Sequence, residues 1–172
     1  MSKRILKKYL AELPKEALEE QVLDLYERFG PVKTYYDFVF NPKEEKLIHE
    51  AKAKIHNEYF PLKRRRPRAR RSVAQKYIRH FRTLGMQEAL ITDLMWYNLE
   101  TAQQFSASRN VPAAFYKSML NSFTEAVQFT VHQSLLSEFR SRMEGVYAAV
   151  QHQQWLLREE FERVWETNLF EG

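Results

Sequence analysis

An all-α fold, a single compact domain of about seven mostly antiparallel helices, is predicted by three features of the sequence. Apolar residues recur at helical spacing along nearly the whole chain, and strand-like alternation never lasts beyond a few residues. Only four Gly and six Pro are available for the tight turns a β fold needs. At 172 residues, 44% of them hydrophobic and 14% aromatic, the chain is about one domain long and can bury a real core. No fixed repeat period is present. Short connections favour antiparallel neighbours, with residues 1–172 forming one helical domain and an Arg-rich link at 60–72.

The elements follow in order. A helix is predicted from about Pro14, because Leu18, Val22, Leu25 and Phe29 share one face, and Gly30-Pro31 reads as its stop. The segment VKTYYDFVF reads either as two helical turns or as an extended piece. Asn41-Pro42-Lys43-Glu44 reads as the next start, with Asn41 as cap and Glu44 reaching back, and that helix runs to about Tyr59. Phe60-Pro61 ends it. Ser72, with Gln75 three residues on, reads as the cap of a helix over 73–83. Its apolar side carries Val73, Tyr77, Phe81 and Leu84, while Lys76, Arg79 and Arg82 point away. Gly85 closes it. Helices over about 87–107, Pro112 to His132, 134–150 and 152–169 follow; the last aligns Leu157, Phe161, Val164 and Trp165.

There is no Cys, which excludes disulfides, thiolate metal sites and Cys nucleophiles and suits a reducing compartment. The amino-terminal apolar residues are spaced, unlike those of a secretory signal. The longest apolar patch, ALITDLMWYNL, is broken by Thr92, Asp93 and Asn98 and is far short of the roughly 20 residues a membrane span needs. A cytoplasmic protein with no membrane partner is expected.

The order of features resembles a family of small, mostly bacterial, all-helical proteins catalogued only as a domain of unknown function. The residues that carry the likeness are KYLAEL with the helix after it, GPVKTYYDFVFNP, EYFPLKRRRPR with SVAQKYIRHF, LITDLMWYNLETAQQF and AAFYKSML. It spans most of the chain and fades after about residue 135. The resemblance implies a helical cytoplasmic domain, and neither an activity nor functional residues.

Charge is distributed unevenly. Residues 1–62 carry 11 basic and 11 acidic groups, residues 63–82 carry 10 basic and none acidic, and residues 83–172 carry 6 and 11. The net +5 is therefore one block, Lys63, Arg64, Arg65, Arg66, Arg68, Arg70, Arg71, Lys76, Arg79 and Arg82. Guanidinium forks bind phosphates in pairs of hydrogen bonds and stay charged at cellular pH. The block reads as a basic face, Arg64–Arg82, that binds a polyanion such as nucleic acid, or an acidic protein. The competing reading is a solvated strap, or one docked on the chain's own acidic helices at 138–166. Tyr77 and Phe81 lie on the wrong face to stack bases, and no nucleic-acid-binding signature occurs.

Enzyme chemistry has one lead. Asp93 and Glu100, seven residues apart with Tyr97 between them, share a stripe of the most apolar helix, where charge is costly unless paired. They read as a cleft site for acid–base work or for holding a metal, or as salt-bridge partners of Arg79, Arg82 or Lys76. Glu45, His49 and His56 share a helix face, but the third close ligand that zinc needs is missing there, so no metal or other cofactor is expected. Neither a GxSxG elbow nor a glycine-rich phosphate loop occurs. The aromatics Tyr35, Tyr36, Phe38, Phe40, Trp155 and Trp165 suit a core or an interface, and an exposed Trp155 or Leu156 would favour a homodimer.

Overall fold

The computed structural model describes residues 2–62 and 66–169; among them it forms nine helices and no strand. These are α1 (Lys3–Glu12), α2 (Lys15–Arg28), α3 (Gly30–Phe40), α4 (Glu44–Tyr59), α5 (Arg71–Leu84), α6 (Glu88–Ser106), α7 (Ala113–His132), α8 (Leu136–His152) and α9 (Arg158–Leu169). The all-α prediction holds, but the expected count of about seven was low by two. One extra element is α1, opened by the Ser2 hydroxyl, which accepts from the Ile5 amide. The other is the aromatic segment, which is helical throughout. The helix expected from Pro14 does end before Gly30-Pro31, at Arg28, but an extended Phe29 rather than a left-handed Gly30 closes it. Gly30-Pro31 also opens α3, Pro31 filling its first turn, where its missing N–H costs nothing.

The chain divides into two compact units, Met1–Lys43 and Glu44–Gly172. In the first, α2 packs on α3, and not one residue of α1, α2 or α3 is buried. Aromatic side chains line this pair: Tyr36 stacks on Phe40 with ring centroids 6.2 Å apart, and the Tyr26 hydroxyl donates to Asp37 at 2.9 Å.

The second unit is built around α6, which touches α4, α5, α7 and α8, while α9 closes over α7 and α8. A helix surrounded on all sides must bury its polar residues too, and α6 satisfies them. Thr92 donates to the Glu88 carbonyl at 2.8 Å, Asn98 accepts from the Tyr59 hydroxyl at 3.0 Å, and Gln103 donates to the Val146 carbonyl at 2.7 Å. Trp96, fully buried, donates from its indole to Thr130 at 3.1 Å and meets Phe123 edge-on. Trp155 sits in the turn between α8 and α9 and is only 2% exposed, packed on Phe115, Tyr116 and Phe161. It is therefore a core residue, and of the pair weighed for a homodimer only Leu156 stands exposed.

Two expected caps take other roles. Asn41 closes α3, donating its amide to the Asp37 carbonyl, and the Glu44 carboxylate accepts from the Gln87 amide at 2.9 Å, so it joins the starts of α4 and α6. Ser72 lies inside the first turn of α5, whose cap position is Arg70. Gly85 does close α5, at φ 74°, the left-handed conformation that glycine adopts without strain.

Candidate functional site

The basic block divides into pinned and open members; Lys63, Arg64 and Arg65 lie outside the described residues. The strap is fastened to the last turn of α4. The Glu58 carbonyl accepts from the amides of Arg68 and Ala69, both at 3.0 Å. The Glu58 carboxylate accepts a two-pronged bond from Arg70, Nε and Nη2 each at 2.9 Å. The Arg70 hydrogen bonds hold the Glu58 carboxyl below its usual range, outweighing the burial that pushes it up. One residue later, Arg71 donates to Ser122 at 3.0 Å and pairs with Glu125, which also accepts from Gln75 at 2.7 Å. For the described residues the docking partners are thus Glu58 on α4 and Glu125 on α7 rather than the acidic residues of 138–166. Glu58 is the acid nearest the strap in sequence, so the shortest loop closure reaches it.

Arg66, Arg68, Lys76, Arg79 and Arg82 stand exposed, and among the described residues the ion pairs include none of them. Arg66 and Arg68 edge a groove of about 460 Å³ with Asn57, Glu58, Pro61 and Arg70. On α5 the Arg79 Nε donates back to the Gln75 carbonyl at 3.3 Å, and the Arg82 guanidinium lies over the Phe129 ring, 5.3 Å from its centroid. Arg79 and Arg82 edge a second groove, about 540 Å³, between α5 and α7.

The α6 carboxylates lie on one stripe as the spacing predicts, but their partners come from α8 and α4 rather than from Arg79, Arg82 or Lys76. Arg142 donates Nε and Nη2 to Glu100, both at 2.8 Å, and Nη1 to Asp93 at 2.6 Å. The other Asp93 oxygen takes Lys52 at 2.5 Å, and that ammonium also lies over the Tyr97 ring at 5.2 Å. Burial works against the Arg142 charge, yet the bonds to Glu100 and Asp93 win and hold its pKa above the ordinary guanidinium value. All four charged groups are about a quarter to a third exposed, so they form a clamp at the edge of the core joining α4, α6 and α8.

Sequence reasoning missed Glu58, Glu125, Lys52 and Arg142. Two of them carried a signal: Lys52 and Arg142 each adjoin a buried apolar residue, Ala51 and Met143, on otherwise amphipathic helices. His49 and Glu45 stand exposed on α4, and the His56 ring lies 5.0 Å from that of Phe60.

Residues 1–171 match the model of a family of unknown function, DUF6155. The chain belongs to that family. No curated protein and no solved structure matches this family member. Among the described residues no helix is long and apolar enough to cross a membrane.

Proposed function

We propose that this family member is a non-enzymatic cytoplasmic binding module that grips the phosphate backbone of a nucleic acid with its basic face. One observation carries the reading. Arg70 and Arg71 are pinned to Glu58 and Glu125, so the strap has a fixed base, while Arg66 and Arg68 beside it stay exposed at the mouth of a groove. A held strap loses less conformational freedom on binding than a floppy one, and exposed guanidinium groups keep their forks available. The exposed Lys76, Arg79 and Arg82 continue the charge along α5. An acid–base role for Asp93 and Glu100 would require both to release Arg142, leaving a guanidinium without partners at the core edge.

The experiment is a salt titration of binding to labelled duplex DNA and to single-stranded RNA, read by fluorescence anisotropy. Five phosphate contacts give a slope of log affinity against log salt of about −4 to −5 on the duplex. Replacing Arg66, Arg68, Lys76, Arg79 and Arg82 with Gln should flatten that slope and leave the thermal melt in place. Absence of binding at low salt, or a slope that the five changes do not move, would overturn the reading.

A further inference from the structure

Ten of the thirteen large hydrophobic side chains that stand exposed among the described residues belong to the first unit, nine of them on α1, α2 and α3 and the tenth, Phe29, between α2 and α3. They are not scattered. On α1, at 100° per residue, Ile5, Leu6, Tyr9 and Leu10 fall on one side and Arg4, Lys7 and Ala11 on the other, with Lys3 at one edge of the apolar stripe and Glu12 and Lys8 at the other. Ile5, Leu6 and Tyr9 are exposed, and the bond joining α1 to α2 is a single one, from the Gln21 side chain to the Tyr9 hydroxyl at 2.9 Å.

The matching surface is on α2 and α3. Val22, Leu23, Tyr26, Tyr36 and Phe40 line a groove of about 600 Å³, and Phe40 is 82% exposed. Leu23 also belongs to the adjoining face of α2, where Glu16, Glu20, Asp24 and Glu27 form an acidic border. Charge follows the same division: α1 has four basic residues and one acidic, α2 five acidic and two basic. The chain thus carries an apolar groove with an acidic border together with an apolar helix that is largely basic around its stripe, and leaves both exposed.

We propose that this unit is a reciprocal dimerisation module, in which α1 of each copy lies in the α2–α3 groove of the other. The two seats are related by a two-fold axis, the closed arrangement in which one surface serves both partners. Leu13 and Pro14, both extended, are the hinge between α1 and α2, and a hinge this short favours exchange of the element beyond it. Size points the same way: a unit of about 40 residues with no Cys and, among its described residues, no buried side chain is in the range where association supplies the missing core. A second copy is preferred to an anionic membrane as occupant because the acidic border of the groove repels such a surface and attracts α1.

The test is analytical ultracentrifugation of the full chain across the micromolar range, with two charge-reversed variants. One carries Lys3→Glu and Lys8→Glu, the other Glu20→Lys and Asp24→Lys. The natural chain should dimerise, and each variant alone should show a dimer Kd raised by about tenfold or more, because both of its seats now face like charge. Mixing the two should restore association as a heterodimer, since each reversed α1 then meets a reversed α2. Tyr9→Ser, which removes an apolar contact without adding charge, should weaken the natural dimer, and far-ultraviolet circular dichroism reports whether each variant stays helical. A natural chain that remains monomeric overturns the proposal, including one that binds anionic vesicles as a monomer. So does a dimer that survives both reversals, or a mixture of helical monomeric variants that does not associate.

Discussion

The two units spend similar apolar material in opposite ways. Glu44–Gly172 gathers its large side chains around α6, so that Trp96, Leu94 and Leu99 are fully buried and each buried polar group named on that helix has a partner. Met1–Lys43 has comparable helices and abundant aromatic residues, yet it displays Leu23, Phe29 and Phe40 instead of enclosing them. Helical periodicity alone does not make a core: a helix pair has too few sides to enclose its apolar stripes, whereas four helices packed on α6, with α9 over two of them, can.

The sharpest way to break that contrast is substitution at matched depth of hydrophobicity. Trp96→Ala should cost the second unit about 3–5 kcal/mol, through the lost ring and the cavity left beside Phe123 and Thr130. Leu25→Ala on α2, at a side chain already 43% exposed, should change stability by no more than about 1 kcal/mol. Urea unfolding followed by far-ultraviolet circular dichroism, which reports the helices of both units, measures both. Equal effects would mean that the first unit is enclosed in solution.

A smaller effect is expected at the clamp. Arg142→Met leaves Glu100 with no cation and Asp93 with Lys52 alone, and should destabilise by about 1–3 kcal/mol, discounted from the fully buried case because these groups remain partly wet. Asp93→Ala should cost less, since Arg142 keeps its two-pronged bond to Glu100. Lys52→Met should cost least. A reversed order in chemical denaturation at neutral pH would show that the clamp is not held through Arg142.

How far the sequence could foresee these arrangements depends on the range of the interaction. Gly85, Pro112 and His132 mark helix ends through local backbone rules, and the structure places the ends there. Gly30-Pro31 was legible as the limit of α2 but not as the start of α3, because a proline that cannot continue one helix suits the first turn of the next. The Asp93–Glu100 stripe was legible because seven residues make nearly two turns. Arg142 was not, standing 49 positions from Asp93 and brought to it by the packing of α8 on α6. Glu58 lay closer, 12 positions from Arg70, but the strap between them has no periodicity from which a partner could be read.

The smallest expected effect lies at the strap of the second unit, held by the bonds between Glu58 and residues 68–70. Glu58 is held below its usual pKa by Arg70, so its contribution is fully present above the unfolded value of about 4.3 and is lost as pH falls through the lower folded value. Protonation removes the charge that the Arg70 fork grips but leaves the Glu58 carbonyl, which still accepts from Arg68 and Ala69. Hydrogen-exchange protection of those two amides, corrected for intrinsic rate, should therefore decline only in that acidic window, while the amides of α6 keep theirs. Glu58→Gln should reproduce the loss at neutral pH and speed tryptic cleavage after Arg70, with little change in global unfolding. Unchanged protection in Glu58→Gln would mean that the backbone bonds alone fasten the strap and that the Arg70 fork is dispensable for presenting Arg66 and Arg68.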